Sequence, residues 1–204
     1  IDDEVCCEAS KQEIIRRYYT TRNALLNDKA EENEVYKLEL LMKKAKLSTA
    51  DRPVVAAANI RSEDTGGPAS AIEMQDGTIL SAKTSSLLGA SSAMLLDALK
   101  YLAGIDDSVK LLSREIIEPI MELKVNYLGN HNPLLHIDEL LIALSIEAIT
   151  NPAAKEAYAK LPNLAGLEVH SSVILSQVDV AVFKKLGVNL TCEPKYETKK
   201  LYHN

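Results

Sequence analysis

The order strand, helix, strand in residues 167–191 constrains the fold of this chain more than any other feature. The segment "LEVHSSVIL" (167–175) reads as a strand, and Ser176 with Asp179 resembles a capping pair that opens a helix over 177–186. Residues 188–191 then form a last strand. Two strands joined through a helix are expected to lie parallel, with a right-handed crossover. The sequence therefore predicts an α/β protein.

Further strands and helices extend this prediction. Residues 70–75 and 78–83 flank Asp76-Gly77, which is a strong hairpin signal. Residues 109–112 are also interpreted as a strand, and residues 53–58 as a strand or a buried segment. Helices are predicted from near Leu87 to Gly104, after Ser113, over 137–150 and from Asn151-Pro152 onward. Mixed strands covered by helices make a layered α/β subdomain, which we assign to residues 51–204.

The first part of the chain has a different pattern. Apolar residues recur at helical spacing in 8–28 and again in 31–47, with the short polar connection Asn27-Asp28-Lys29 between them. This pattern predicts an αα-hairpin. We therefore expect a helical subdomain over residues 1–50.

Composition excludes several classes of function. The net charge is −6 and no basic stripe occurs, so nucleic acid is a poor candidate partner. No apolar run approaches the ~20 residues needed to span a bilayer, so no membrane partner is expected. Cys6, Cys7 and Cys192 give neither a disulfide framework nor a metal spacing, which indicates a reducing, cytoplasmic compartment. We predict no cofactor and no metal.

A small, hydroxyl-rich turn precedes the helix that is predicted from Leu87. A helix N-terminus suits phosphate or carboxylate, because it offers free N–H groups and partial positive charge. The turn is neither a Walker A loop nor a G-x-G-x-x-G segment, and serines before a helix are also ordinary caps. The candidate ligand-binding residues here are Lys83, Thr84, Ser85, Ser86 and Ser91.

A second candidate lies where polar residues interrupt an apolar strand. His170, Ser171 and Ser172 are candidate ligand-binding residues, with His170 and Ser172 expected on one face and Ser171 on the other. Such an interruption often marks the place where a sheet faces a pocket. The alternative is a structural histidine with a hydrogen-bond partner.

Other polar groups receive simpler interpretations. Asp138 and Glu139, next to His136, are explained by the electrostatics of a helix start rather than by a metal site. Glu147 is expected to face solvent. Cys192 is interpreted as a small buried hydrophobe rather than as a thiol nucleophile.

Several blocks of the sequence together resemble one uncharacterised, mostly bacterial family, the domain of unknown function 1846. They include "DRPVVAAA", "KTSSLLGASSAMLLDALKYLAGIDD" and "HSSVILSQVDVAVFKKLGVNLTCEPKYETKKLYH", and the similarity extends over the whole chain. The resemblance implies a helical subdomain followed by a three-layer α/β subdomain similar to the cytidine-deaminase-like fold. The H-x-E and P-C-x-x-C motifs of zinc deaminases are absent, and no catalytic residue is carried over.

Family members are longer, and this sequence resembles their C-terminal part. The start at Ile1 rather than Met agrees with a fragment, so the N-terminal part of the same protein is an expected partner. The resemblance also implies a Gly-rich, phosphate-loop-like segment in that part, to which nothing here corresponds.

Two functions follow from the sequence. The first is the part of a metabolic enzyme that binds a small anionic or phosphorylated molecule, with Lys83 and the serines as anion ligands and His170 as the acid/base or orienting group. The alternative is a structural and oligomerisation module whose helical hairpin packs against a second copy and whose serines only cap helices. A homo-oligomer is expected.

Overall fold

The computed structural model describes residues 2–197 and the side chains of residues 6–197. The strands are β1 (Ala69–Glu73), β2 (Ile79–Lys83), β3 (Glu168–Ser171) and β4 (Asn189–Cys192). The α-helices are α1 (Asp2–Leu26), α2 (Glu32–Lys44), α3 (Pro53–Thr65), α4 (Ala90–Ala103), α5 (Arg114–Glu122), α6 (Ile137–Glu147), α7 (Pro152–Tyr158) and α8 (Gln177–Lys185). Short 3₁₀ turns occur at Thr49–Asp51 and Leu161–Leu164, and a π-helical turn follows α5 at Leu123–Tyr127.

The strands form one mixed sheet in the order β2-β1-β3-β4. β1 is antiparallel to both β2 and β3, while β3 and β4 are parallel, which confirms the prediction from the strand–helix–strand order. The hairpin at Asp76-Gly77 is also confirmed. Gly77 has φ 83°, a left-handed conformation that glycine adopts without steric cost.

Helices cover both faces of the sheet, so the α/β prediction is confirmed. Alternation along β3 sends Val169 to one face and His170 to the other. Val169 and Ile72 belong to the main core with the buried side chains of α4, α6, α7 and α8. On the opposite face, Ala71 packs against Val54 and Ala58 of α3.

The helical hairpin α1–α2 packs through a small cluster of buried side chains, namely Ile15, Tyr19, Met42 and Val55. The hairpin also contacts the sheet, because Asn23 Nδ2 of α1 donates to the main-chain oxygen of Cys192 in β4 at 2.8 Å. The division into subdomains 1–50 and 51–204 stays a prediction. None of the described helices combines the length and the apolar character needed to cross a bilayer.

Residues 53–58, interpreted as a strand or a buried segment, do not form a strand, because they are the start of α3. Pro53 occupies the first helical turn, where its missing N–H costs nothing, and the alanines that follow are strong helix formers. Val54, Val55 and Ala58 are buried at helical spacing. A short apolar run does not by itself distinguish a buried strand from a buried helix.

The strand predicted at 109–112 is also wrong. Asp106 Oδ1 accepts hydrogen bonds from the Ser108 N–H at 2.9 Å and from the Ser108 hydroxyl, which turns the chain. Leu111 and Leu112 are buried in the core without forming a strand.

Two smaller corrections concern helices. The helix predicted from near Leu87 begins at Ala90, after Gly89 as N-cap. Glu147 does not face solvent: it is 9% exposed, and its Oε2 accepts from the Ser113 hydroxyl at 2.9 Å.

Candidate functional site

A small cleft lies at the edge of the sheet where the parallel strands β3 and β4 end. The register pairs Ser70 with Ser171 and Ala69 with Lys83, so the end of β2 and the start of β1 reach the same edge. The cleft has a volume of about 70 Å³. Its polar lining side chains are Thr84, Ser91, Ser92, Asn132, His136, Ser171, Ser176, Asp179 and Glu197. Ligands of α/β proteins bind at this edge of a sheet.

The N-termini of α4, α6 and α8 meet at this cleft. Gly89 and Ala90 line it at the start of α4, His136 at the start of α6 and Ser176 at the start of α8. The cleft therefore collects the partial positive charges of these helix ends.

Asp179 takes part in the caps of two of these helices, as the residue that Ser176 caps in α8 and as the acceptor at the start of α6. Within α8, the Ser176 hydroxyl accepts from the Asp179 N–H at 3.1 Å, as the sequence predicts. The Asp179 carboxylate reaches α6 as well, where Oδ1 accepts from the Ile137 N–H at 2.9 Å. Burial raises the pKa of Asp179, but hydrogen bonds from His136, Ile137 and Ser176 more than offset this, so that its pKa lies below the usual value.

His136 is held by the same carboxylate. Its Nδ1 lies 3.0 Å from Asp179 Oδ2, and 35% of its side chain is exposed. The hydrogen bond to Asp179 raises the pKa of His136 above its ordinary value, against the opposing effect of burial. An imidazole oriented by a carboxylate at one nitrogen can bind an anion or transfer a proton at the other.

Lys124 and Glu139 support the wall of the cleft. Lys124 is 2% exposed in the π-helical turn, and its Nζ donates to the Leu134 main-chain oxygen at 2.6 Å and to Glu139 Oε2 at 2.7 Å. Glu139 Oε2 also accepts from the His136 N–H at 2.8 Å. This arrangement fixes the backbone on both sides of Leu135.

Two buried hydroxyl groups, those of Ser91 and Ser171, line the cleft. Ser91 is 5% exposed and its Oγ lies 2.8 Å from Ser70 Oγ, so one of the two hydroxyls donates and the other keeps its hydrogen. Ser171 is 1% exposed, and its Oγ accepts from the Val173 N–H at 3.4 Å. No acceptor among the described residues takes the Ser171 hydroxyl hydrogen.

The 83–92 turn is thus divided between the cleft and the surface. Thr84 and Ser91 line the cleft. Lys83 and Ser86 are exposed and lie outside its lining. Ser85 is also exposed, and its hydroxyl accepts from the Leu88 N–H at 3.0 Å within the turn, before the N-cap Gly89, so it does not cap α4.

The second candidate segment, residues 170–172, is also divided between the cleft and other parts of the molecule. Ser171 lines the cleft, whereas His170 lies on the α1 and α3 side of the sheet with no exposed surface. His170 Nδ1 lies 2.8 Å from Thr191 Oγ1, and its ring packs against Tyr19 with centroids 5.0 Å apart. Ser172 Oγ accepts from the Ala69 N–H at 2.9 Å. The structure therefore does not bring His170 and Lys83 together in one pocket.

Sequence reasoning missed His136 and Asp179 as partners. Each had a local explanation, since His136 stands beside the acidic start of a helix and Asp179 belongs to a capping pair. Their contact joins residues 43 positions apart, which no local pattern shows. The one available signal was a histidine immediately before a predicted helix, in a chain with four histidines.

Cys192 is buried, and burial raises its pKa to about 12, which favours the interpretation as a small hydrophobe. In the described part of the chain, no group of three or more His, Cys, Asp or Glu side chains could hold a metal ion.

A larger groove of about 890 Å³ separates the helical hairpin from α8 and β4. Its size is greater than that of the cleft, but all of its charged lining residues except the half-buried Arg16 are exposed, so water screens them: Glu13, Arg17, Glu34, Lys37 and Lys184. The cleft is the better candidate site because its polar groups are buried and partly fixed.

These features define a class: an α/β protein with a mixed sheet between helical layers and a polar cleft at the carboxyl edge of its parallel strands. The chain belongs to a bacterial family of unknown function. Residues 50–202 match the family model "Domain of unknown function DUF1846, C-terminal", and residues 1–46 match "Domain of unknown function DUF1846, N-terminal".

Curated relatives agree with this family assignment. The UPF0371 protein cu0538 of Corynebacterium urealyticum is 53% identical over 204 residues, covering 98% of this chain and 40% of the relative. The UPF0371 protein str1377 of Streptococcus thermophilus is 47% identical over 201 residues, covering 98% of this chain and 41% of the relative. The chain thus spans about two fifths of the length of these relatives.

Proposed function

We propose that this chain supplies the binding site for a small anionic or phosphorylated molecule in a metabolic enzyme, and that the anion binds at the N-terminus of α4. One observation carries the proposal. Of the helix ends at the cleft, those of α6 and α8 are bonded by Asp179 and Ser176, whereas no side chain caps α4.

The free end of α4 has donors for an anion. No acceptor among the described residues takes the N–H groups of Ala90, Ser91 or Ser92 in its first turn. These residues are buried, so solvent satisfies the N–H groups poorly. An anion at this position accepts several N–H bonds and interacts with the helix dipole.

The Ser171 hydroxyl supplies a further donor, and the Ser91 hydroxyl supplies another when Ser70 is the donor in their mutual hydrogen bond. Thr84 also belongs to the lining. The cleft lining does not include Lys83, Ser85, Ser86, His170 or Ser172, so these candidates contribute no ligand. The likeness to the cytidine-deaminase-like fold stays a prediction and contributes nothing to the chemistry of the site. A cytoplasmic location also stays a prediction.

A capping substitution tests the site without removing any contact. Gly89 is the N-cap of α4 at φ −63° and ψ 159°, and an added Cβ would meet only the Leu135 main-chain oxygen, at 3.8 Å. In Gly89→Asp, the carboxylate should cap α4 and occupy the position of the anion. We expect the free energy of unfolding to stay the same or to rise by a few tenths of a kcal/mol, while phosphate binding is lost. Ser86→Asp is the matched control, since it adds the same charge on the exposed loop.

Phosphate titration followed by amide NMR provides the measurement. In the wild type and in Ser86→Asp, the amides of 89–92 should shift, and saturating phosphate at about 100 times its Kd should add about 2.7 kcal/mol to the free energy of unfolding. Gly89→Asp should show neither effect. The proposal is wrong if phosphate leaves these amides unchanged in the wild type, or if Gly89→Asp responds as the wild type does.

The alternative function, a module that associates with a second copy through the helical hairpin, is favoured by a different observation. Tyr36 and Leu40 lie one turn apart on α2 and are 58% and 47% exposed. Apolar side chains on one helix face are typical of an association surface.

Leu40→Glu tests this alternative by placing a charge in the proposed interface. Ile146→Glu on α6 is the matched control, because Ile146 has the same exposed fraction, 47%, away from the hairpin. If copies associate through α2, sedimentation equilibrium should show a weaker dimer only in Leu40→Glu. A wild-type monomer at high concentration, or equal effects of both substitutions, would contradict it.

A further inference from the structure

The two ring nitrogens of His136 have different surroundings. Asp179 holds Nδ1, which leaves Nε2 for another partner. The Asp179 carboxylate accepts from Ile137 N–H through Oδ1, and from His136 Nδ1 and the Ser176 hydroxyl through Oδ2. Because Oδ2 is an acceptor, Nδ1 carries a proton in both charge states of the ring. The titrating nitrogen is therefore Nε2, which makes no hydrogen bond to a described side chain.

Three charged side chains surround His136 and set the net charge next to its ring. Asp179 faces it from α8, Glu139 from its own helix α6, and Lys124 from the π-helical turn. Lys124 and Glu139 form an ion pair at 2.7 Å, so their charges largely cancel. Asp179 then remains as the partner of an imidazolium, while Glu197 contributes a further carboxyl at the cleft.

We propose that His136 is the specificity-determining residue of the cleft: in its imidazolium form it donates from Nε2 to a phosphoryl oxygen, so the cleft selects a phosphomonoester over a carboxylate. This inference rests on the proposed anion site at α4. It extends that site by naming both the class of ligand and the residue that recognises it.

The shape of a phosphoryl group fits the arrangement of donors. Donors reach the cleft from α4, from Ser171 at the end of β3 and from His136 before α6. A phosphoryl group has three terminal oxygens in a tetrahedral arrangement and can accept from all these directions, whereas a carboxylate has two oxygens in one plane. Charge-assisted hydrogen bonds to phosphate are among the strong ones in proteins.

The charge states of ligand and protein overlap near neutral pH. A phosphomonoester becomes a dianion above about pH 6. The hydrogen bond to Asp179 raises the pKa of His136, so the imidazolium persists above the ordinary value of 6.5. Affinity should therefore be highest between about pH 6 and the pKa of His136, and should fall as the pH rises through that pKa. A Glu197 carboxylate opposes the bound dianion, and its pKa is raised by burial.

The test uses methyl phosphate and acetate as probes with the whole chain, by isothermal titration calorimetry from pH 5.5 to 8.5. We expect His136→Gln to weaken methyl phosphate by at least about tenfold at neutral pH and to remove the alkaline fall in affinity. Acetate should bind more weakly than methyl phosphate in the wild type, and the difference should shrink in His136→Gln. His131→Gln is the matched control, because His131 is exposed and lies outside the cleft lining.

A second variant keeps the test independent of the folding of His136→Gln. Asp179→Asn retains an acceptor for Ile137 but removes the negative charge beside His136, so the alkaline fall in affinity should move to lower pH. NMR titration of the His136 Cε1–H resonance measures the same pKa directly.

The outcomes separate the two proposals. If methyl phosphate shifts the amides of 89–92 but binds His136→Gln and His131→Gln with the same affinity and pH profile, the anion site stands and the role of His136 is wrong. If the wild type binds methyl phosphate and acetate equally, the selectivity is wrong. If neither probe shifts these amides, both proposals fail.

Discussion

Lys124 stabilises the cleft without lining it. Its ammonium group is almost fully buried between the Leu134 main-chain oxygen and the Glu139 carboxylate, which also receives the His136 N–H. A buried ion pair contributes little over an apolar pair of the same shape, but removing one partner leaves a charge uncompensated. Glu139 is 22% exposed, so water would satisfy it in part.

We therefore predict that Lys124→Met lowers the free energy of unfolding by roughly 3 kcal/mol, which is the lower end of the range for a broken buried pair. Lys155→Met, on the exposed surface of α7, is the matched control and should change it by less than about 0.5 kcal/mol. Urea unfolding measures both. The double variant Lys124→Met/Glu139→Gln should recover part of the loss, because no unpaired carboxylate remains. Equal stabilities of the two lysine variants would contradict the prediction.

At the scale of single elements, the sequence predicted features that depend on neighbouring residues. The Ser176–Asp179 cap and the Asp76-Gly77 hairpin both involve residues a few positions apart, and both are present. The parallel pairing of β3 and β4 was also predictable, because handedness rules restrict how a strand–helix–strand unit can fold.

The sequence failed where tertiary contacts decide the structure. Residues 53–58 are apolar enough for a strand or a helix, and packing of Val54 and Ala58 against Ala71 of β1 agrees with the helix. Asp179 reaches Ile137 across 42 positions, so its second role was invisible. Of the candidate site residues, Thr84, Ser91 and Ser171 line one cleft, whereas the solvent-exposed Lys83 and the buried His170 do not.

The short segment between β2 and α4 serves two purposes. The Ser85 hydroxyl holds the turn by accepting from the Leu88 N–H, and Leu88 forms an isolated parallel bridge with Leu135. The turn thereby sets the start of α4 beside the loop that carries His136. The segment can therefore connect the strand to the helix and also contribute to an anion site. The exposed Ser85 fixes its backbone, while the buried Ser91 belongs to the cleft lining.

At the scale of the whole molecule, polar contacts join the helical hairpin to the sheet. Arg16 of α1 bonds Glu168 of β3 at 2.7 Å, and Arg52, which has no exposed surface, bonds the same carboxylate. Nearby, Glu193 Oε1 accepts from the Tyr19 hydroxyl at 3.1 Å and from Asn59 Nδ2 at 3.0 Å. The Glu193 carboxylate thus links α1, α3 and the end of β4.

This linkage predicts that the fold loses stability in acid. Burial raises the pKa of Glu193, but hydrogen bonds from His170, Asn59 and Tyr19 outweigh it and lower the pKa from 4.5 to about 2. His170 Nε2 lies 3.4 Å away, and burial lowers the pKa of His170. A carboxyl with a depressed pKa in the folded state contributes stability that is present above its unfolded value and is lost as the pH falls towards the folded value.

Glu193→Gln should therefore be less stable than the wild type by on the order of 2 kcal/mol at pH 6, because the amide keeps the shape but not the charge of the acceptor. The difference should shrink as the pH falls from 4.5 towards 2, where the wild-type carboxyl is itself protonated. Urea unfolding at a series of pH values measures this difference. Glu156→Gln, on the exposed surface of α7, is the matched control and should follow the wild type at every pH. A stability difference that does not change with pH would mean that Glu193 contributes through its shape and packing rather than through its charge.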